Sequence, residues 1–157
     1  MQKITPYLWF DNNAEEAISF YSSIFKDSKM TDCARWGKGG PVPEGTIMTA
    51  TFELAGQKFL ALNGGPMFKF NEAVSFLVDC KDQEEVDYYW NKLTEGGAEQ
   101  PCGWLKDKYG LSWQIIPRQL SQLIGHKDRE KAGRALQAMM QMKKIDVAKL
   151  EAAFEGK

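Results

Sequence analysis

The sequence predicts an α+β fold in which two βαβββ modules form a curved mixed sheet around a cleft, with a helical C-terminal extension. One observation behind this is a repeat, because the strand and helix pattern of residues 4–62 starts again after a shift of 68 residues, from Asp11 to Asp79. The other is a change beyond Pro117 from two-residue alternation to helical periodicity. Neither module can cover its own sheet face, so we expect the two to pack together.

The first module is predicted to begin with a strand and a capped helix. Asp11 or Asn12 is positioned to cap a helix that extends to Phe25. The first turn of that helix holds Glu15 and Glu16, where the helix dipole favours carboxylates. The apolar and aromatic runs predict strands at residues 4–10, 30–36, 46–54 and 57–62.

The second module repeats this order. A strand over residues 74–78 and a helix over residues 79–93 precede a strand, a turn and a terminal strand that ends at Pro117. In the terminal strand Ser112 and Gln114 point to one face, and the bulky residues beside them point to the other. The 68-residue shift superposes Asp11 on Asp79, Glu16 on Glu84, Ile18 on Val86, Phe20 on Tyr88, Tyr21 on Tyr89 and Phe25 on Leu93.

We divide the chain accordingly. Residues 1–117 form one domain, with modules at about 1–66 and 67–117, and residues 118–157 form the extension. The extension is predicted to contain helices within residues 119–124, within residues 127–143, and after Asp146. Its apolar stripe must cover either the body of its own subunit or that of a partner.

Composition and charge restrict the classes of function that the chain can have. The chain has 157 residues, is 43% hydrophobic and 26% charged, and carries a net charge of −1, which argues against a whole-surface nucleic-acid binder. Residues 118–157 hold nine Lys/Arg against five Asp/Glu, which is more often a solvated helix face than a nucleic-acid-binding tail.

The cysteines and the hydropathy pattern bear on location. Cys33, Cys80 and Cys102 are odd in number and lack C-x-x-C spacing, so neither a disulfide framework nor a zinc site is indicated. No secretion signal or membrane span is predicted. We therefore expect a reducing cytoplasm.

Several motifs together resemble one known family. They are residues 4–11 with Ala17 and Phe20-Tyr21, residues 71–76, Trp90, residues 102–107, residues 112–114 and residues 139–150. This combination resembles the PhnB-like branch of the vicinal oxygen chelate superfamily, and it covers nearly the whole chain. Relatives include glyoxalase, bleomycin-resistance proteins, fosfomycin-resistance enzymes and extradiol dioxygenases. The resemblance implies a homodimer that binds a small apolar or aromatic molecule.

The resemblance also implies where a metal would lie. In metal-dependent relatives four side chains from four strands hold a divalent ion. The matching positions here are Pro6, Leu60 or Ala61, Val74 and Gln114. Because only Gln114 carries a donor, the expectation is no metal at the usual site and no cofactor. A shifted divalent-metal site that uses Glu72, Asn63 or Asn71 stays open.

The candidate site residues follow from the same comparison. Glu72 and Gln114 are the best candidates for catalytic groups, with Ser75 as a further polar contact. Glu72 is equally well explained as a carboxylate at the rim of the cleft. Lys106 is either a turn residue or a contact to a substrate carboxylate. The aromatic candidates for the walls of a flat-ligand pocket are Trp9, Phe68, Phe70, Trp104 and Trp113.

Two further functions remain as alternatives. One is a lyase- or dioxygenase-type enzyme, and the other is a DNA-binding regulator. Against DNA binding, the last helix carries Glu151 and Glu155, which phosphates would repel. Members of this branch are often named 3-demethylubiquinone 3-methyltransferases. The glycine-rich loop at residues 37–45 precedes no predicted helix, however, and does not resemble a methyl-donor cradle.

Overall fold

The computed structural model describes residues 2–157, which form two compact units. The first unit ends at Phe70, and the second runs from Asn71 to Lys157. Each unit contains one βαβββ module, and the C-terminal helices belong to the second. The predicted α+β fold with two modules and a helical C-terminal extension is confirmed. Hydrogen bonds join the described strands into two four-stranded mixed sheets, one in each unit, where the sequence predicted one curved sheet.

The first unit holds four strands and one helix. Its elements are β1 (Tyr7–Phe10), α1 (Ala14–Ile24), β2 (Lys29–Arg35), β3 (Ile47–Leu54) and β4 (Gln57–Asn63). The strands lie in the order β1-β4-β3-β2, with β1 parallel to β4 and the other pairs antiparallel. The first strand begins three residues later than predicted.

The cap of α1 differs from the prediction. The N-cap residue is Asn13, not Asp11 or Asn12, and its side chain makes no capping hydrogen bond. Asn63, at the end of β4, supplies the acceptor instead: its Oδ1 accepts from the Ala14 amide at 2.9 Å, and its Nδ2 donates to the Ile47 carbonyl at 3.0 Å. The start of α1 is therefore fixed by a residue about fifty positions away, which local sequence patterns do not reveal.

The second unit repeats the topology of the first. Its elements are β5 (Ser75–Cys80), α2 (Gln83–Leu93), β6 (Ala98–Glu99), a 3₁₀ turn (Pro101–Gly103), β7 (Trp104–Lys106) and β8 (Ser112–Pro117). The strand order β5-β8-β7-β6, with β5 parallel to β8, matches the first sheet. The internal repeat predicted from the sequence is confirmed by this shared order.

The start of α2 shows why its predicted boundary was too early. Strand β5 continues to Cys80, and the side chain of Asp82 then accepts a hydrogen bond from the Glu85 amide at 2.9 Å. This capping bond stabilises a helix start at Gln83, four residues after Asp79.

Three helices complete the second unit: α3 (Arg118–Ile124), α4 (Arg129–Met139) and α5 (Val147–Glu155). As predicted, Asp146 caps the last helix, because its side chain accepts from the Lys149 amide. Leu120, Ile145 and Leu150 form a buried cluster, and Ile116 of β8 packs against it. The apolar stripe of the extension therefore covers its own subunit.

Gln83 connects α2 to the segment before α5. Its Nε2 donates to the Ile145 carbonyl at 2.9 Å and to Asp87, and its Oε1 accepts from the Val147 amide at 2.8 Å. The hydrogen bond from Gln83, together with the Lys144 ammonium, lowers the pKa of Asp87. One side chain thus satisfies two backbone groups of the extension.

We predict that Gln83→Ala lowers the free energy of unfolding by about 1–3 kcal/mol, because it leaves half-buried backbone groups without partners. Urea denaturation followed by circular dichroism measures the change. Glu84→Ala, on the exposed side of the same helix, is the matched control and should lie within about 0.5 kcal/mol of the wild type. Equal stability of the two variants would contradict the assigned role of Gln83.

Candidate functional site

The register of the second sheet separates its two faces. Leu105, Trp113 and Ile115 are buried on one face, which α2 covers. Residues one position away along each strand share the other face, since strand side chains alternate. We call this second surface the Gln114 face, and its members on the three neighbouring strands are Ser75, Leu77, Asp79, Trp104, Lys106, Ser112, Gln114 and Ile116.

Three polar residues form a row across the Gln114 face. Ser112 of β8 pairs with Ser75 of β5 on one side and with Lys106 of β7 on the other. Adjacent strands lie about 5 Å apart, so the row presents two hydroxyls and one ammonium within roughly 10 Å. Ser112 is fully buried, and its Oγ has no hydrogen-bond partner. A buried hydroxyl of this kind calls for a specific explanation.

Gln114 occupies the next row. Its Nε2 donates to the Ser75 Oγ at 2.9 Å, which ties the two polar rows together. In register with Gln114 lie Leu77 of β5, whose side chain is 57% exposed, and Trp104 of β7. One polar amide therefore stands between two large apolar side chains, an arrangement typical of small-molecule sites.

Glu72 reaches the same face from the segment before β5. Its carboxylate forms an ion pair with the Lys106 ammonium, and both side chains are partly exposed. The turn that carries Glu72 is held by Asn71, whose Oδ1 accepts from the Ala73 amide at 2.9 Å. The hydrogen bond from Lys106 lowers the pKa of Glu72, so this carboxylate is ionised at neutral pH and is poorly suited to act as a proton donor.

Trp113 lies on the opposite face from Gln114. It is 3% exposed, and its Nε1 donates to the Asp107 carboxylate at 2.9 Å. The structure thus separates Trp113 from Gln114, Ser75 and Trp104, and we assign it to the core.

Asp107 organises the turn between β7 and β8. Its buried carboxylate accepts from the Tyr109 amide at 2.8 Å, the Leu111 amide at 3.1 Å and the Trp113 indole. These bonds fix the hairpin that carries Lys106 and the β8 strand. The sequence predicted a turn before the terminal strand, but the contact of Asp107 with Trp113 depends on the folded hairpin.

The first unit brings two of the predicted aromatic residues together. Trp9 and Phe68 meet edge to face with ring centroids 4.9 Å apart, and Phe68 is 58% exposed. The Trp9 Nε1 donates to the Gly65 carbonyl at 2.9 Å. Gly64 lies so close to the indole that a Cβ there would be 2.4 Å from the ring. The position of the Trp9 ring is therefore fixed by the Gly64-Gly65 segment.

Phe70 contacts a different side of β1. Its ring lies 5.3 Å from that of Phe10, which is buried on the face of the first sheet that packs against α1. Trp9, the neighbour of Phe10 in the strand, points to the other face. Phe70 is thus a core contact of the first unit and lies apart from the Trp9–Phe68 pair.

The positions that match the metal ligands of relatives do not form a donor set. Ala61 is fully buried on the α1 side of the first sheet, and Leu60 lies on the other side. Val74 precedes β5, and only Gln114 offers an amide. Among residues 2–157, no three His, Cys, Asp or Glu side chains converge in a way that would hold a metal ion. The residues present do not fit the divalent ion of the metal-dependent relatives.

The residues considered for a shifted site have structural partners. Asn63 caps α1, Asn71 forms its local turn, and Glu72 pairs with Lys106. The amide oxygens of Asn63 and Asn71 and one carboxylate oxygen of Glu72 are therefore engaged within the protein.

The cysteine and histidine side chains lie outside the Gln114 face. Burial raises the pKa of the Cys80 thiol to about 12, which disfavours a thiolate nucleophile. The His126 Nδ1 accepts from the Asp128 amide at 3.1 Å, in the turn before α4. This local hydrogen bond gives His126 a structural role.

The last helix is anchored by its apolar side. Leu150 and Phe154 are buried, and Arg134 donates to the carbonyls of Ala153 and Phe154 at 3.0 and 2.7 Å. The cation at this helix end also interacts favourably with the helix dipole. Since this apolar side packs within the unit, α5 would have to reach DNA through a surface that includes the acidic Glu151 and Glu155.

Comparison with known proteins places the chain among related folds. Residues 2–116 match the family model for 3-demethylubiquinone-9 3-methyltransferase. The solved PhnB protein from Bacillus cereus is 40% identical, with a TM-score of 0.70, over 74% of this chain and 99% of that one.

More distant structures share the fold. A Pseudomonas aeruginosa protein is 23% identical over 74% of this chain and 98% of its own, with a TM-score of 0.61. The fosfomycin resistance protein FosX from Listeria monocytogenes is 13% identical over 74% and 93%, with a TM-score of 0.53. No curated protein matches the chain.

We predict that Asp107→Asn lowers the free energy of unfolding by about 1–3 kcal/mol, because the amide nitrogen cannot accept the hydrogen bonds that one carboxylate oxygen accepts. Urea denaturation measures the loss, and the Trp113 indole N–H resonance should shift. Asp11→Asn, at an exposed position, is the control and should stay within about 0.5 kcal/mol of the wild type. A stable Asp107→Asn variant with an unmoved indole resonance would show that this carboxylate does not organise the hairpin.

Proposed function

Because this chain belongs to the 3-demethylubiquinone-9 3-methyltransferase family, the PhnB-like branch of the vicinal oxygen chelate superfamily, we propose that it binds a small apolar or aromatic molecule on the Gln114 face. The observation that carries this proposal is the row in which Gln114 stands between Leu77 and Trp104. Apolar side chains would supply contact area, and the amide would fix the orientation of the ligand.

Ser75 supports the amide of Gln114. Since the Ser75 Oγ accepts from Gln114, its own hydroxyl proton is directed elsewhere and can be donated to a ligand. The Oε1 of Gln114 remains as an acceptor. Trp9 and Phe68 stay predicted ligand contacts of the first unit. Trp113, which packs in the core, and Phe70, whose ring contacts the buried Phe10, are left out of the proposal.

We further propose that binding proceeds without a divalent metal. Support comes from the residues at the matching positions, since Pro6, Leu60 and Val74 carry no donor atoms. A single neutral amide does not hold a divalent ion against water. The amide oxygens of Asn63 and Asn71, which accept backbone hydrogen bonds, count against a shifted site.

The name of the family does not lead us to propose methyl transfer. The glycine-rich loop joins β2 directly to the antiparallel β3, and Trp36 and Thr46 are hydrogen-bonded across its base at 2.8 Å. A methyl-donor cradle of the usual kind needs a helix after the glycines. The loop is therefore a hairpin connection in this proposal.

For its setting, we propose a cytoplasmic homodimer. Cys33, Cys80 and Cys102 are unpaired, as expected for a reducing compartment. No helix in residues 2–157 has both the length and the apolar character needed to cross a membrane. Exposed apolar side chains such as Tyr7 and Met140 favour a second copy as an additional cover.

A thermal-shift screen against aromatic compounds and divalent metals tests the proposed function. A compound at a free concentration of 100 times its Kd should raise the Tm by roughly 5–10 °C, because it binds only the native state. The shift should fall by roughly a fifth to a half in Gln114→Ala, because one lost hydrogen bond costs about 0.5–1.5 kcal/mol, and stay unchanged in the exposed control Gln57→Ala. A large shift with manganese, nickel or zinc, and none with aromatic compounds, would contradict the proposal.

A further inference from the structure

We infer that the ligand of the Gln114 face carries an oxyanion, such as a carboxylate or phosphonate, next to its apolar part, and that this group displaces Glu72 from Lys106. The inference rests on the proposed function and names the chemical class of the ligand. Two observations support it: the Ser75–Ser112–Lys106 row and the ion pair between Glu72 and Lys106.

The first step is the donor set of the row. Ser75, Ser112 and Lys106 lie on three neighbouring strands in direct register, with Ser112 in the middle. The Lys106 ammonium and the two hydroxyls are all able to donate, and spacings of about 5 Å between neighbours suit a group with several oxygens. Charge-assisted hydrogen bonds make such a row selective for anions.

The second step is the unpartnered hydroxyl. The Ser112 Oγ is buried and lacks a hydrogen-bond partner within the chain. A buried hydroxyl without a partner costs free energy, and a ligand acceptor placed here would recover it. The same strand could have carried alanine at this position without that cost. The hydroxyl therefore indicates an acceptor from outside the chain.

The third step is the ion pair. Glu72 lies before β5 and Lys106 on β7, the two strands that flank β8, so their contact joins the two sides of the central strand at the Ser112 end. The Glu72 carboxylate thus already pairs with the Lys106 ammonium, which is the cation of the row. Both side chains are partly exposed, so the pair is weak enough for an incoming anion to exchange with it.

The fourth step is the neighbouring row, which fixes the rest of the ligand. The donor row and the row of Gln114 are neighbours along the strands. In the row of Gln114, Leu77 lies on one side of the amide and Trp104 on the other. An oxyanion on the first row would place an attached ring or chain over Gln114, between these two side chains. The expected ligand is therefore amphiphilic, with a compact anionic end and a flat or apolar body.

Benzoate and its neutral isostere benzamide test this inference, with affinities measured by two-dimensional NMR titration of the full chain. Glu72→Gln removes the competing charge and should tighten benzoate binding roughly two- to fivefold. Lys106→Met should weaken benzoate binding about tenfold or more, and Ser112→Ala roughly two- to tenfold. Benzamide affinity should stay within about twofold of the wild type in Glu72→Gln and Lys106→Met, because the probe carries no charge.

The control is Glu15→Gln, which removes the carboxylate of another exposed ion pair, that with Arg35 in the first unit. It should leave both affinities unchanged, and urea midpoints check that every variant is folded. Equal binding of benzoate and benzamide in all variants would overturn the oxyanion inference and leave the proposed function standing. Failure of both probes to bind, in the wild type and in Glu72→Gln, would overturn both.

Discussion

The two-residue alternation of β8 is the constraint on which the second unit depends. This strand is hydrogen-bonded to β5 on one side and to β7 on the other, so it cannot rotate to change the face that each residue presents. Trp113 and Ile115 enter the core, and Ser112 and Gln114 are thereby held on the opposite face. A slip of one residue would bury the amide of Gln114 and expose the indole, which makes the register strongly specified.

The elements around β8 reinforce this register. Asp107 binds the turn before it, and the C-terminal helices pack on Ile116 near its end. Gly103, with a φ of +84°, allows the close approach of Ile145, because a Cβ there would lie 3.1 Å from the Ile145 side chain. The extension is therefore part of the scaffold that supports the Gln114 face, and its stability is coupled to that of the proposed site.

The fold was predictable because its signals are local or periodic. The repeat appears as matched acids and aromatics, and the cap of α5 appears as Asp146 before an apolar run. The cap of α1 was not predictable, since its acceptor belongs to Asn63 in a distant strand. At the site, the sequence indicated Gln114 and Ser75, but pattern alone did not separate a core aromatic such as Trp113 from an exposed one such as Phe68. The unpartnered hydroxyl of Ser112 and the ion pair of Glu72 require the sheet register, which no single strand encodes.

The central claim is that small molecules bind on the Gln114 face. Nuclear Overhauser effects between the ring protons of bound benzoate and the protein test it most directly. The account predicts contacts to the Trp104 indole and to the side-chain amide of Gln114. Contacts confined to the helices α4 and α5, with none to these two side chains, would contradict it.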